Sequence, residues 1–127
     1  MGLFRNIKYP RRFGGAADVP PDPKLLTPVG TLAATGSTAA DAAAITAVVT
    51  TVTATDDTVG VILPAGVLAG AQRIVVNTVA AKTLKVYPSS GGKINNLAAN
   101  ANIAVTASQA VLLIALGSDN WAAVYNA

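Results

Sequence analysis

VGVILPAGVLAGAQRIVVNTVAAKTLKVYPSSGGKIN, residues 59–95 of a 127-residue chain, decides how the rest is read. Three short apolar runs, at 59–63, 73–77 and 83–87, lie between Pro64, Gly66, Gly70, Pro88, Gly91 and Gly92. Punctuation of this density marks short strands and tight turns, because proline removes a backbone donor and glycine supplies left-handed backbone. The run at 83–87 alternates, directing Leu84 and Val86 at a core and Lys85 at water. The run at 73–77 is apolar on both faces through Ile74, Val75 and Val76, which predicts a central strand covered from two sides.

Toward the C-terminus the same punctuation continues. Strands are expected at 103–106, at 110–116 and, after a hairpin at 117–120, at 121–125. Trp121, the single Trp, is expected to cap one end of the core with its N–H on a loop carbonyl; stacking on a ligand is the alternative. Toward the N-terminus, residues 31–55 are a low-complexity run of Ala, Thr and Val. Its β-branched second half predicts a strand at 44–54, and a helix over 38–50 is the competing reading. Asp56 and Asp57 read as a turn whose carboxylates bond nearby backbone; neighbouring strand positions point to opposite faces, so the pair does not converge on a metal. Ser89-Ser90-Gly91-Gly92 resembles a phosphate cradle only loosely. No helix start follows it, and a hairpin loop is the expectation.

Residues 1–28 have another character. They hold five of the seven prolines, three of the six aromatics and a Gly14-Gly15 hinge, so an extended, partly polyproline-like arm is expected. The whole net charge of +3 resides in this arm, and the remainder is neutral. Phe4, Ile7, Tyr9 and Phe13 interleave with Arg5, Lys8, Arg11 and Arg12. A solvated tail without a role is the bland reading; tails shaped only by solvation seldom carry this much aromatic surface, and partner anchoring is preferred. The domain division is accordingly an arm at 1–30 and a β-sandwich at 31–127.

Composition bounds the function. The chain has no Cys, His or Glu, so disulfides, thiolate or imidazole metal sites and most acid–base pairs are excluded, and no enzyme activity or cofactor is expected. No apolar run approaches the roughly 18 residues of a membrane span, and no secretory leader is evident. The neutral body offers no basic face for nucleic acid. Aromatics at 5% and charged residues at 12% leave a core of small side chains and a surface poor in charge, which favours self-association.

The turn spacing gives about 7–8 short strands in an all-β fold, an antiparallel β-sandwich or jelly roll. The succession Val61, Leu63, Pro64, then Gly70 and Ile74-Val75-Val76-Asn77, then Leu84, Val86, Tyr87, Pro88, then Gly91, Ile94, Asn95 and a last strand opened by Trp121 resembles the small β-sandwich head decoration, or cement, proteins of tailed bacteriophages. Related head and tail fibre domains share it. The resemblance spans residues 44–125 and implies a homotrimer, made in the host cytoplasm, that clamps neighbouring major capsid proteins on the outer surface of the head. It implies no small-molecule ligand. The arm, through Phe4, Arg5, Ile7, Lys8, Tyr9, Arg11, Arg12 and Phe13, is then the candidate capsid-binding element. The rival reading is a fibre domain that recognises host-surface glycans, for which Tyr87, Trp121 and Tyr125 are few and scattered.

Overall fold

The computed structural model describes residues 28–124, so the arm residues Phe4 to Phe13 and, at the other end, Tyr125 lie outside it. Ten strands follow one another: β1 (Val29–Ala33), β2 (Ala43–Ala44), β3 (Val49–Ala54), β4 (Gly60–Ile62), β5 (Gln72–Asn77), β6 (Leu84–Tyr87), β7 (Lys93–Ile94), β8 (Ile103–Val105), β9 (Ala110–Gly117) and β10 (Asn120–Val124). No helix occurs among the described residues, which removes the helical reading of 38–50. The fold is all-β and two-layered, as expected. A six-stranded sheet, β1-β3-β5-β9-β10-β7, faces a four-stranded one, β2-β4-β6-β8.

The pairing differs from the expected antiparallel one. From β1 to β6 the chain delivers strands alternately to the two sheets, and each new strand lies parallel to the last one placed in its own sheet: β1, β3 and β5 in one, β2, β4 and β6 in the other. Residues 29–87 thus wind as three stacked coils. Parallel neighbours need a long crossover, and here the opposite sheet supplies it. Only then does the chain reverse, with β8 antiparallel to β6, β9 antiparallel to β5, and β10 closing a hairpin on β9. The short β7 runs parallel to β10 at the far edge. The jelly-roll part of the expectation does not carry over to these mixed ladders.

The segment expected as one strand at 44–54 is split. Ile45, buried, still donates its N–H to Ile62 O at 3.0 Å and belongs to the small sheet, whereas Thr50 and Val52 point into the core from the large one. A β-branched run gives no sign of such a corner. β1 begins at Val29, inside the segment expected to be arm, and pairs parallel with β3. Ser89-Ser90-Gly91-Gly92 is a crossover turn between sheets rather than a hairpin loop.

The core fills with small layers. Val52, Val75, Val111, Leu113, Ala115 and Trp121 from the large sheet meet Val61, Leu84, Val86, Ile103 and Val105 from the small one. Close approach requires glycine at Gly36 and Gly92 among other positions. Gly36 has φ 70° and packs against the Asp41 carbonyl, and a Cβ on Gly92 would run into the Asp119 carbonyl.

Candidate functional site

The carboxylates of the body are engaged with its own backbone and neighbouring side chains. Asp41 Oδ1 accepts from Thr38 N at 2.8 Å and from Thr38 Oγ1 at 2.7 Å. Asp56 Oδ1 accepts from Thr58 N at 3.0 Å and Thr58 Oγ1 at 2.6 Å, the predicted Asx turn. Asp57 Oδ1 takes Thr83 N at 2.6 Å, while Lys82 Nζ sits 3.2 Å from Oδ2. Asp119 Oδ1 accepts from Gly66 N at 3.0 Å. Every carboxylate among the described residues therefore holds a turn. No cluster of three potential metal ligands occurs among them either.

These bonds hold three carboxyls below the usual carboxylate range, through Thr38 for Asp41, through Thr58 for Asp56, and through the Thr83 N–H and then Lys82 for Asp57. A depressed folded-state pKa contributes stability that is present above the ordinary range and is lost as pH falls through the folded value. The melting temperature is accordingly expected to hold from neutrality down to about pH 4–5 and to drop below it. Thermal melts of the protein and of Asp57→Asn across that range check this; the variant should melt lower at neutral pH and lose less on acidification. A flat profile for the unaltered protein would contradict the assignment.

One cleft of about 750 Å³ opens where Ser37 and Thr38 approach Ile62, Tyr87, Ser90 and Asn100. Tyr87 is only 4% exposed, and its hydroxyl donates to Ser37 O at 2.7 Å. Burial, and secondarily the charge of Asp41, raises the phenol pKa, so the group stays a neutral donor. It offers no open ring for a sugar to stack on. Trp121 offers none either, being 1% exposed, with Nε1 donating to Ser89 Oγ at 3.0 Å. Its partner is a side-chain hydroxyl rather than the expected loop carbonyl.

The second feature is the outward face of the large sheet. In β5, Val75 and Asn77 are buried, so Gln72, Ile74 and Val76 point away from the core. Among the described residues no element roofs the second face, and Ile74 and Val76 are half-exposed, so the second cover expected for this strand is not found among them. Register carries the pattern across the sheet: Val29 pairs with Val49, Val49 with Ile74, Ile74 with Leu112, and Leu112 with Val124. Five aliphatic side chains on five strands thus form one outward row. Val29 is 64% and Val124 61% exposed at its ends. None of the outward positions of β1, β3, β5, β9 and β10 is charged. Two-faced apolarity in 73–77 is the sequence signal for this row, and a sequence does not say which element covers each face.

No protein-family model, curated protein or solved structure matches the chain.

Proposed function

We propose that this chain is a capsid decoration protein of a tailed bacteriophage, a structural module that binds the assembled head and clamps neighbouring major capsid proteins. The observation that carries the reading is the division of labour along the chain: a body whose carboxylates all brace turns, joined through the edge strand β1 to a basic, aromatic arm. The body is a block, and the arm is the strap. Since the chain enters at the rim of the large sheet, the strap leaves from an edge and can reach a neighbouring subunit without crossing the core.

Several copies joined as a homotrimer present several straps, and weak single contacts become avid attachment. Binding only the assembled head stabilises that state by mass action, without any bond being made or broken. Undecorated heads titrated with the full chain and with a version lacking residues 1–27 test the reading. Removal of the arm is expected to weaken occupancy by about 100-fold or more. Equal occupancy would take the arm out of the mechanism, and no binding by either version would end the proposal.

The glycan-recognition reading keeps one observation in its favour, the cleft at Ser37, Tyr87 and Asn100. Its lack of an open aromatic platform places it second. Binding of host-surface polysaccharide, abolished by Asn100→Ala, would reverse the order.

A further inference from the structure

We propose that the outward row of the large sheet is the resting seat of residues 4–13 of the same chain, held there by apolar side chains rather than by strand pairing. The row runs through Val29, Val49, Ile74, Leu112 and Val124, with Ile114 and Val76 flanking it. Neither those five nor the two flanking residues belong to the core or pack against it. The largest contiguous apolar patch on a protein surface is often functional, and this one calls for an occupant.

The size of the strip selects between occupants. At about 4.8 Å per strand the row is roughly 19 Å across, and a few residues deep it covers a few hundred Å². A stable interface between two separate proteins needs about 800 Å² from each partner, so a second copy is poorly served by this strip alone. A tethered segment needs far less, because the link holds it at an effective concentration in the millimolar range.

The tether starts at the seat. Val29, the first residue of β1, is also the first member of the row, so the chain outside the described residues emerges beside the strip. The intervening residues 14–27 can extend to roughly 45 Å, more than enough to bring residues 4–13 back over the face.

The sequence of that segment has the matching period. In a polyproline II chain, with three residues per turn, residues three apart share a side. Phe4, Ile7, Pro10 and Phe13 then make one apolar stripe, and Arg5, Lys8 and Arg11 make a separate basic one. At about 3.1 Å per residue, Phe4 to Pro10 spans roughly 19 Å, the breadth of the row, with Phe13 a turn beyond it. Placed on an uncharged face, the apolar stripe meets apolar side chains while the basic stripe stays in water. The inference does not depend on the lattice reading. Were that reading to hold, the seat would be where the strap rests until a lattice takes it up.

Photo-cross-linking of the full chain tests this, with p-benzoylphenylalanine in place of the half-exposed Leu112. Irradiation is expected to give a product of monomer mass whose mapped adduct joins position 112 to a peptide within residues 1–13. Adducts of dimer mass, or adducts confined to residues 28–124, would overturn the proposal in favour of a second copy or an open face. A second measurement avoids the unnatural residue: full chains carrying Phe4→Ser, Ile7→Ser and Phe13→Ser together should bind an apolar-surface dye several-fold more strongly than the unaltered protein. Unchanged dye binding would also overturn it.

Discussion

Trp121→Ala is expected to lower the free energy of unfolding by about 3–5 kcal/mol, the usual range for deleting a buried indole. The ring stands on β10 beside Ala115 and Ile94, almost without exposure, and is the largest fully buried side chain described. It also ties parts of the fold that are distant in sequence. Its Nε1 donates to Ser89 Oγ, which in turn donates to Pro64 O at 2.9 Å, so one short chain of bonds joins the last strand to the ends of both β4 and β6. Small domains are stable by only about 5–15 kcal/mol in total, so this one change removes a large share. Denaturant titration followed by far-UV circular dichroism reads it, since the variant loses the only Trp fluorophore. Ser89→Ala should cost less, about 1–3 kcal/mol, by leaving Nε1 and the Pro64 carbonyl without partners. A Trp121→Ala loss below about 1 kcal/mol would mean that the ring does not hold the layers together.

The second large effect is expected at Asn77, where Leu keeps the branched shape and removes the polarity. Asn77 is fully buried, and its Nδ2 reaches Lys82 O at 2.7 Å, Val105 O at 3.0 Å and Thr106 O at 3.3 Å, while Oδ1 accepts from Val79 N at 3.0 Å. One amide thus closes the turn after β5 and joins it to the end of β8 in the other sheet. Asn77→Leu leaves buried backbone groups unpaired at about 1–3 kcal/mol each, so a total loss of about 3 kcal/mol or more is expected. Denaturant midpoints with unchanged slope would report it; a loss under about 1 kcal/mol would show that water or a backbone shift replaces the amide.

How far these roles were legible differs by residue. The strand around Ile74, the alternation of Leu84, Lys85 and Val86 and the Asp56 turn follow from local chemistry, and local chemistry is what a sequence displays. Burial of Trp121 was legible for the same reason. Its bond to Ser89 was not, since the two lie 32 residues apart and meet only through the stacking of sheets. Winding direction was equally hidden: a half-buried strand alternates alike whether its neighbour runs parallel or antiparallel. The stretch at 44–54 lacks any Gly or Pro at its corner, so its division between two sheets left no mark. The arm residues Phe4 to Phe13 stand out by the interleaving of aromatic and basic positions, whereas the outward row from Val29 to Val124 depends on strand register, which the sequence does not display.

The coiled path from β1 to β6 also bears on how fast this protein comes together. Except for the β9–β10 hairpin, every ladder joins strands that are far apart along the chain, Val29 to Val49 and Val49 to Ile74 among them. Such pairings must close sizeable loops before any contact repays them, which places folding in the milliseconds-to-seconds regime of non-local β-proteins. Among the described residues the β9–β10 hairpin is the one ladder able to form early, and it follows the coils in sequence, so synthesis delivers this nucleus after them. Until the ribosome has released those residues, the earlier coils have no antiparallel partner against which to settle.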